Sequence, residues 1–350
     1  MKKNTYSLNT DEQYMQRCLD LARLGIQGAA PNPMVGSVIV HQGKIIGEGY
    51  HQKCGEAHAE VNAIRSVADP SLLKEATLYV NLEPCAHYGK TPPCSLAIIQ
   101  HHIPRVVVGC IDTFAKVSGR GIRMLREAGV EVTVGVLEKE SLDLNKRFFT
   151  FHRYKRPYII LKWAESADGF IDSDEDAPTW LTNEESRVLV HKMRAEEAAI
   201  MVGTVAAYKD NPSLTTRSWA GPHPVRVTLD RQLRLPHTHH LFDAQVKTLV
   251  FTKEQKASED QVVYVTIDFD GDVLAQVLSY LYQENLSSLI VEGGEILLNS
   301  FIQAGLWDEA WQFIGTSRLG SGTKAPLLTA SPQQNMMLKD VSLNVYYAKR

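Results

Sequence analysis

The sequence has no long apolar run. No segment of the 350 residues approaches the roughly 18 consecutive apolar residues that mark a membrane-spanning helix. The first residues, Met1 to Thr5, carry positive charge, but no apolar stretch of the signal-peptide kind follows them. These two absences predict a protein of the cytoplasm that has no membrane partner.

Cysteine is scarce and unevenly distributed. The chain has five cysteines, an odd number, and all of them lie in the first third of the sequence: Cys18, Cys54, Cys85, Cys94 and Cys110. This pattern argues against a disulfide framework and favours thiol or metal chemistry in the first third. Cys18 lies on the apolar face of the first predicted helix and Cys110 ends an apolar run, so both are predicted to be core thiols.

The sequence also lacks an excess of charge of either sign. Lys and Arg total 37, Asp and Glu total 40, and the formal net charge is −3. Proteins that hold a nucleic-acid backbone usually present a basic field over much of their surface. The balance of charge excludes such an overall field, and we expect no nucleic-acid partner.

The composition is that of a globular protein with two domains. The chain is 44% hydrophobic and 22% charged, and its 350 residues correspond to two domains at roughly 100–200 residues each. The charged segment Phe151 to Pro157 precedes a new apolar run and predicts a boundary there. We therefore expect domains over residues 1–150 and 151–350.

Strands alternate with helices in both parts, which predicts α/β folds whose helices cover both faces of the sheet. Thr10 and Gln13 predict a capping box at the start of the first helix. The later helices of the first part are predicted at His58 to Val67, Pro92 to Ile99, Ile122 to Ala128 and Lys139 to Phe149. The strands of the second part are predicted at Tyr158 to Lys162, Ala198 to Val202, Val225 to Leu229, Thr248 to Thr252 and Leu289 to Val291.

A metal-binding pattern occurs in the first part. His58-Ala59-Glu60 is followed by Cys85 and, nine positions later, by Cys94. A zinc deaminase needs one imidazole and two thiolates as ligands, an open position for water, and a carboxylate that is not a ligand. His58, Cys85 and Cys94 are therefore candidate ligands of one Zn²⁺. Glu60 is the candidate that moves a proton from the water to the departing amine.

The residues around the two cysteines make this pattern more specific. The general zinc-deaminase signature has two residues between its cysteines, whereas eight separate this pair. The string Glu83 to Cys94 (EPCAHYGKTPPC), together with Pro31 to Gly36 (PNPMVG) and Gly49 to His51 (GYH), closely resembles the riboflavin-biosynthesis deaminases. The resemblance covers most of residues 10–150 and implies a cytidine-deaminase-like, three-layer α/β/α domain.

Substrate contacts in this domain follow from side-chain chemistry, and the resemblance implies the same residues. Asn32 and His51 can hydrogen-bond a pyrimidine edge, and Lys90 offers a point charge for a phosphate. Asn32 has the alternative role of only shaping its proline-flanked turn. A closed structural zinc site, with Cys54 or His87 as a fourth ligand, is the alternative for the metal.

The second part contains a different set of motifs. They are Ser166 to Gly169 (SADG), Trp180 to Thr182 (WLT), Gly203 to Val205 (GTV), Asp210 to Arg217 (DNPSLTTR) and Val291 to Gly294 (VEGG). Their order is similar to that in the dihydrofolate-reductase-like reductases fused to this deaminase, over about residues 156–320. Two features depart from that family: Pro178 occupies a usual serine position, and the interval from Thr204 to Asp210 is longer than usual.

The resemblance implies NADPH and a ribose phosphate as ligands of this α/β domain. The implied cofactor-binding residues are Ala164, Trp180, Asp210, Gly294, Glu295, Ile296, Leu297, Leu298, Asn299 and Ser300. The implied substrate-binding residues are Arg194, Leu214, Arg217 and Glu292, and Lys162 is a further candidate near the opened sugar. Two arginines suit a phosphate dianion because guanidinium groups bind it bidentately, although Arg194 has the alternative role of a helix C-terminal charge. Gly293 and Gly294 form a glycine turn before a helix predicted at Glu295 to Gln303, and such a turn suits a cofactor phosphate. The G-x-G-x-x-G fingerprint is absent.

The resemblance as a whole implies a bifunctional enzyme of riboflavin biosynthesis. The first domain would use a zinc-activated hydroxide to deaminate 2,5-diamino-6-ribosylamino-4(3H)-pyrimidinone 5′-phosphate. The second would reduce the ribosyl group with NADPH to give 5-amino-6-(5-phosphoribitylamino)uracil. The alternatives are a nucleoside or tRNA deaminase with an appended non-reductase domain, and a deaminase with an inactive, ligand-binding reductase-like domain. We expect the pyrimidine ribosyl phosphate substrate to be the partner of this protein. We also expect the protein to form a homo-oligomer.

Overall fold

The computed structural model describes residues 9–88, 92–112, 119–173 and 180–349. The chain divides into two units, Met1–Tyr154 and Lys155–Arg350. The division falls four residues beyond the expected position (154 against 150), because a helix continues to Tyr154. Within the described ranges, no helix has both the length and the apolar character needed to cross a bilayer.

The first unit contains one five-stranded sheet. Its strands are β1 (Gly36–His41), β2 (Lys44–Tyr50), β3 (Thr77–Leu82), β4 (Arg105–Cys110) and β5 (Glu131–Val134). Its helices are α1 (Thr10–Arg23), α2 (Ala59–Ser66), α3 (Cys94–Gln100), α4 (Arg120–Glu127), α5 (Glu138–Leu144) and α6 (Lys146–Tyr154), with a 3₁₀ turn at Pro70–Glu75. The strand order is β2-β1-β3-β4-β5. β1 is antiparallel to both of its neighbours, and β3, β4 and β5 run parallel.

Helices cover both faces of this sheet. Along β3, Leu78 and Val80 pack in one cluster with residues of α2, α3 and α4, whereas Tyr79 packs in another with residues of α1. Successive side chains of a strand point to opposite faces, so an unbroken run of buried residues needs cover on both sides. The three-layer α/β/α fold predicted for this domain is confirmed.

The first helix differs from the prediction at its cap. α1 begins at Thr10, but the cap is Asn9, whose side chain accepts a hydrogen bond from the Glu12 backbone N–H at 2.9 Å. The Glu12 carboxylate accepts one from the Asn9 N–H at 2.8 Å. The capping box predicted at Thr10 and Gln13 is therefore wrong by one residue, because both pairs have the required spacing and only the backbone geometry distinguishes them.

The helix predicted at Lys139 to Phe149 is two helices that meet at Asn145. The buried Asn145 side chain accepts a hydrogen bond from the Met34 N–H at 2.8 Å and donates one to the Met34 carbonyl at 2.9 Å. Asn81 also donates to the Met34 carbonyl, at 3.1 Å. These two asparagines hold the loop before β1, which carries Asn32.

The second unit contains a nine-stranded sheet and a two-stranded one. Its strands are β6 (Tyr158–Glu165), β7 (Phe170–Asp172), β8 (Ala199–Val202), β9 (Val225–Leu229), β10 (Thr248–Thr252), β11 (Val262–Thr266), β12 (Ser288–Glu292), β13 (Glu309–Ile314), β14 (Thr323–Lys324), β15 (Gln334–Leu338) and β16 (Val341–Tyr347). Its helices are α7 (Glu184–Glu196), α8 (Thr204–Asp210), α9 (Val273–Gln283) and α10 (Glu295–Gln303), with a 3₁₀ turn at His240–Phe242.

The large sheet has the order β11-β10-β9-β8-β12-β6-β13-β16-β15, and β7 pairs with β14. In this order, the seven strands from β11 through β13 run parallel to one another. β16 is antiparallel to both β13 and β15. α9 and α10 pack on one face and α7 and α8 on the other, so the predicted α/β fold is confirmed. The register places Glu292 between Lys162 of β6 and Val202 of β8. Val202 and Glu292 are the last residues of their strands, and parallel sheets bind their ligands at such carboxyl ends.

Candidate active sites

Three ligand-type side chains meet in the first unit. His58 is the N-cap of α2, Cys85 follows β3, and Cys94 is the first residue of α3. His58 Nδ1 lies 3.2 Å from Cys94 Sγ and 3.6 Å from Cys85 Sγ, and the three ligand atoms lie within 4.8 Å of one another. A tetrahedral zinc site with bonds of about 2.0 Å to nitrogen and about 2.3 Å to sulfur separates its donors by roughly 3.5 Å. The cluster fits a zinc ion in donor type and spacing.

Helix α3 holds the Cys85 segment through its first turn. The Cys94 N–H donates to Cys85 Sγ at 3.3 Å, and the Ser95 N–H and hydroxyl donate to the Cys85 carbonyl at 3.2 and 2.9 Å. Pro93 is the N-cap, so the helix begins two residues after the predicted start at Pro92. The first amides of a helix have no partner within it, so here they are available to a sulfur and a carbonyl.

The two thiols of the cluster affect each other's protonation. The hydrogen bond from Cys94 lowers the pKa of Cys85 to about 4, burial opposes this, and the hydrogen bond with His58 adds to it. The same contact with Cys85, together with burial, raises the pKa of Cys94. Two thiols that share a proton in this way suit a cation that binds both as thiolates.

Glu60 lies in the first turn of α2 and in the same cavity as His58 and Cys85. Its side chain is almost fully buried, with 3% exposed. Burial raises the pKa of Glu60 to about 7; Cys85 adds to this rise and His58 opposes it. A carboxyl group whose pKa lies near neutrality can take up a proton and return it in one reaction cycle.

The start of α2 is fixed by close packing of the helix against β2. A Cβ added at Gly49 would lie 2.6 Å from the Ala59 carbonyl oxygen, and one added at Gly47 would lie 2.6 Å from the Ala63 carbonyl oxygen. No side chain fits at these distances, so glycine is required at both positions. The two glycines let α2 lie directly on the strand and thereby place His58 at the cavity.

Asn32 and His51 form a polar pair at the same cavity. His51 Nδ1 lies 3.2 Å from the Ala57 carbonyl and Nε2 lies 3.1 Å from Asn32 Nδ2. A carbonyl only accepts, so Nδ1 carries the proton and Nε2 accepts from the Asn32 amide. Burial lowers the pKa of His51, which keeps the ring neutral. This arrangement leaves the Asn32 Oδ1 as an acceptor for a ligand.

Glu83 ties the cysteine segment to the start of α4. Its carboxylate accepts hydrogen bonds from the backbone N–H groups of Asp112, Gly119, Gly121 and Ile122 at 2.9 to 3.4 Å. One buried carboxylate thus satisfies four amides of a segment that would otherwise have no partner for them. Because Glu83 stands two residues before Cys85, this anchor also limits where the cysteine can lie.

The cavity of the first unit has a volume of about 310 Å³. It brings together Asn32, His51, His58, Glu60 and Cys85, while Lys90 lies outside the described residues. Sequence reasoning missed the following lining residues: Pro33, Val35, Leu82, Asp112, Phe148 and His152. The last two belong to α6 and reach the cavity because the chain turns at Asn145, which a helical sequence pattern does not reveal.

The second unit has a larger cavity, of about 740 Å³, at the carboxyl ends of its parallel strands. Most of the residues implied by the resemblance line it: Lys162, Ala164, Trp180, Asp210, Leu214, Glu292, Gly294, Glu295, Ile296, Leu297 and Ser300. Four of the implied residues do not line it. The Leu298 side chain is fully buried in the core, Asn299 donates to the Glu295 carboxylate at 2.9 Å, and Arg194 and Arg217 lie outside the lining. Pro178 lies outside the described residues.

The start of α10 forms a cradle at this cavity. Gly293 has a φ of +120°, a conformation that favours glycine, and Gly294 is the helix N-cap with nothing within 4 Å of an added Cβ. Trp180 and Ile296 line the cavity with 73% and 77% of their surface exposed. Open backbone amides at a helix start, next to exposed apolar side chains, fit a phosphate and an aromatic ring of a dinucleotide.

Charged side chains converge at the sugar end of the implied site. Arg194 donates to Glu292 at 3.0 Å, and both are largely buried. Burial alone would raise the pKa of Glu292, but Arg194 and Lys162 together hold it below its usual value. Burial lowers the pKa of Lys162, and Glu292 opposes that shift. Within the described residues, Glu292 Oε1 and Arg194 Nε are buried without a hydrogen-bond partner, so each can still bind a ligand.

Comparison with known proteins gives one family match in each unit. Residues 8–110 match the family described as the cytidine and deoxycytidylate deaminase zinc-binding region, and residues 157–348 match the RibD C-terminal domain. The riboflavin biosynthesis protein RibD of Aquifex aeolicus is 41% identical over 318 residues, which cover 89% of this chain and 88% of that protein. RibD of Bacillus amyloliquefaciens is 40% identical over 340 residues, covering 95% and 91%.

A solved structure from Thermotoga maritima extends this likeness to the whole chain. It is described as a diaminohydroxyphosphoribosylaminopyrimidine deaminase/5-amino-6-(5-phosphoribosylamino)uracil reductase, has 35% identity and a TM-score of 0.89, and the match covers 97% of this chain and 99% of that one. The chain therefore belongs to the RibD family of riboflavin biosynthesis proteins, bifunctional enzymes that join a zinc-binding deaminase domain to an NADPH-dependent reductase domain.

Proposed function

We propose that the first unit deaminates 2,5-diamino-6-ribosylamino-4(3H)-pyrimidinone 5′-phosphate by hydrolysis. The second unit then reduces the ribosyl group of the product to give 5-amino-6-(5-phosphoribitylamino)uracil. The observation that carries the proposal is that the ligand atoms of His58, Cys85 and Cys94 lie within 4.8 Å of one another, with Glu60 in the cavity that His58 and Cys85 also line. A closed structural zinc site would need a fourth protein ligand there, and among the described residues the ligand cluster has three members.

In the deaminase, His58 Nδ1 and the sulfur atoms of Cys85 and Cys94 would hold the metal. When bound, zinc supplies the Lewis acidity that makes a water nucleophilic near neutral pH. The Glu60 carboxylate would take a proton from the attacking water and deliver it to the nitrogen at C2 of the pyrimidine. A C–O bond forms at C2, the C–N bond breaks, and ammonia leaves.

The substrate is oriented by the polar pair at the cavity. His51 accepts the Asn32 amide hydrogen, which leaves Asn32 Oδ1 to accept from an N–H of the diaminopyrimidine. The apolar neighbours Val35 and Leu82 exclude water from the ring. We assign Lys90 to the phosphate on the basis of its charge alone, since it lies outside the described residues.

In the reductase, NADPH supplies the hydride when bound. We assign Ala164, Trp180, Asp210, Gly294, Glu295, Ile296, Leu297, Leu298, Asn299 and Ser300 to its binding; Leu298 contributes backbone only, because its side chain is in the core. Lys162 and Glu292, adjacent on neighbouring strands, contact the opened sugar. Arg194, Leu214 and Arg217 bind the ribose phosphate, with the two guanidinium groups matching its two negative charges.

We further propose a cytoplasmic homo-oligomer whose partner is the small-molecule substrate, with neither nucleic acid nor membrane lipid as a partner. The formal net charge of −3 supports the first exclusion, because it provides no general attraction for a polyanion. Light scattering of the purified protein tests the oligomer. Tight RNA binding that weakens as salt is added would contradict the proposal and favour a tRNA deaminase.

Mass spectrometry of the diaminopyrimidinone phosphate, after incubation with the zinc-loaded protein, tests both activities. Without NADPH, we expect one amine to be replaced by oxygen. With NADPH, we expect a further gain of two hydrogens. Deamination without reduction would restrict the proposal to the first unit, and no change in a sample with verified zinc would overturn it.

A further inference from the structure

The loop that carries two of the assigned phosphate-binding residues has an unusual backbone. It follows α8 and includes Leu214 and Arg217. Asn211 and Leu214 have φ values of +42° and +53°, in the left-handed region that non-glycine residues rarely adopt. Such conformations persist only where the surrounding structure fixes them. Contacts that hold this loop are therefore part of how the site is built.

Helix α7 supplies most of these contacts. His191 Nδ1 accepts a hydrogen bond from the Arg217 backbone N–H at 3.0 Å, and the same ring is hydrogen-bonded to the backbone of Thr215. Arg194 donates to the Thr215 carbonyl at 3.3 Å. Residues three apart share a helix face, so a single face of α7 holds the loop at Thr215 and at Arg217.

The Arg217 side chain has little else to position it. Its guanidinium donates to Thr215 Oγ1 at 3.3 Å, and it forms no ion pair within the described part of the chain. The side chain is exposed, whereas His191 is buried with 7% exposed. The position of the guanidinium therefore depends on the position of the Arg217 backbone. His191 fixes that backbone through its hydrogen bond with the Arg217 N–H.

His191 is suited to this task because its ring stays neutral. Burial lowers the pKa of His191 to about 4, and the charges of Arg194 and Arg217 add to this, while Glu292 and the Thr215 backbone oppose it. A neutral imidazole keeps a lone pair on Nδ1 for the Arg217 N–H throughout the neutral range. The two cations assigned to the phosphate thus also preserve the acceptor that positions one of them.

We propose that His191 is a positioning residue for phosphate recognition in the reductase: by accepting the Arg217 N–H, it sets the guanidinium where the 5′-phosphate of the substrate binds. This inference rests on the proposed function, in which Arg194 and Arg217 bind that phosphate. His191 itself contacts neither substrate nor cofactor in this account. It acts on the affinity for one group of the substrate and not on hydride transfer.

The test compares the deaminated substrate with the same compound lacking its 5′-phosphate. His191→Ala leaves the Arg217 N–H without its acceptor, so we expect the reductase KM for the phosphorylated substrate to rise about tenfold, with kcat changed less than about twofold. The KM for the dephosphorylated compound should stay unchanged. His191→Asn, whose Oδ1 replaces Nδ1 as the acceptor, should restore most of the lost affinity. An unchanged kcat with the dephosphorylated compound reports that the reductase unit of the same samples is intact.

His223 provides a matched control in the same loop. Its Nδ1 accepts from the neighbouring Thr216 N–H at 3.1 Å. His223→Ala should not produce a phosphate-specific rise in KM. If it matches His191→Ala, or if His191→Ala raises the KM of both compounds equally, the role is general support of the loop and the inference is overturned. Should His191→Ala fail to fold, His191→Asn must give a lower KM than His191→Gln, whose amide overlays Nε2.

Arg217→Ala separates this inference from the function on which it rests. We expect this variant to raise the KM of the phosphorylated substrate only. If it does not, the assignment of the phosphate to Arg217 fails. If it does while His191→Ala leaves the KM unchanged, the phosphate site stands and only the role of His191 is overturned.

Discussion

Two glutamates close together in the deaminase sequence differ sharply in how far they are buried. Glu60 is buried beside two sulfur atoms and an imidazole, whereas Glu56, four residues earlier, is exposed. The same carboxyl group thus occurs in two different settings, because Glu56 is exposed to water and Glu60 is not. This contrast provides a matched pair for testing the proton-transfer role.

Glu60→Gln should remove deamination and leave zinc in place. The amide has nearly the shape of the carboxyl but cannot take up the proton, so we expect deaminase turnover to fall by about 10²- to 10⁴-fold. Metal analysis should still find zinc in the variant, since Glu60 is not one of the three assigned ligands. Reduction of the deaminated intermediate should proceed at the unaltered rate.

Glu56→Gln, the exposed counterpart, should retain full activity in both assays. Deamination by Glu60→Gln at the unaltered rate would remove Glu60 from the mechanism. Loss of zinc from that variant would instead indicate that the carboxylate supports the ligands.

At the scale of elements, the sites are built at the starts of helices. α2 begins beside His58, α3 begins at Cys94, and α10 follows the pair Gly293 and Gly294. The first turn of a helix has amides without partners in the helix and a partial positive charge. Each of these three helix starts thus offers unpaired backbone amides to its surroundings. In the interior of a strand, the same amides would be paired with a neighbouring strand.

Substitution by alanine should have different effects at the two glycines before α10. At Gly294 it should weaken cofactor binding, and at Gly293 it should lower stability. At Gly294 the φ of −66° is ordinary and the added methyl meets no atom, so Gly294→Ala should change the free energy of unfolding by less than about 0.5 kcal/mol. The methyl would occupy the space where a cofactor phosphate approaches, so the KM for NADPH should rise severalfold. Steady-state kinetics and urea unfolding measure the two effects.

Gly293→Ala is the contrasting variant. Its φ of +120° and the Val202 side chain at 3.3 Å from the added Cβ should lower the free energy of unfolding by more than about 1 kcal/mol. An unchanged KM for NADPH in Gly294→Ala would argue against a cofactor phosphate at this helix start.

The elements show how far the sequence can be interpreted alone. The helix starts near His58 and Cys94 were predictable to within two residues, because the apolar pattern of each helix is a local feature of the sequence. The division of one predicted helix at Asn145 was not, because the partner that holds Asn145 is Met34, 111 positions away. Phe148 and His152 therefore stayed hidden as lining residues.

The strand β15 near the end of the chain was hidden for a different reason. β15 is an edge strand that is largely exposed, and β16 pairs antiparallel with both β13 and β15. Without a fully buried face, an edge strand has a weak hydrophobic pattern. The position of His191 against the Arg217 amide could not be predicted either, since a histidine within an amphipathic helix is consistent with many environments.

For the whole molecule, the main consequence is that one chain holds two chemistries with different requirements. The zinc ligands and Glu60 belong to residues before Tyr154, and the residues assigned to NADPH all follow Lys155. Among the described residues, the only cluster able to hold a metal ion is in the first unit. Deamination should therefore depend on the metal, whereas reduction should not.

Removal of zinc with a chelator should abolish deamination and spare reduction. The deaminated intermediate supplied directly should still oxidise NADPH at the rate of the untreated protein, while the diamino compound should remain unchanged. Return of zinc should restore the first reaction. Equal loss of both reactions, in protein whose reductase unit remains folded by circular dichroism, would show that the second activity also depends on metal.

Asn145 has a consequence for the order in which the deaminase becomes functional during synthesis. All three metal ligands and Glu60 have left the ribosome long before this residue emerges, yet the amide that clamps the Met34 loop is still missing. A chain that ends before residue 145 contains every residue of the candidate metal cluster, but it lacks the side chain that holds the Met34 loop next to Asn32. The candidate metal ligands and the residue that fixes this loop are thus synthesised at separate stages of translation, and Asn145 comes last.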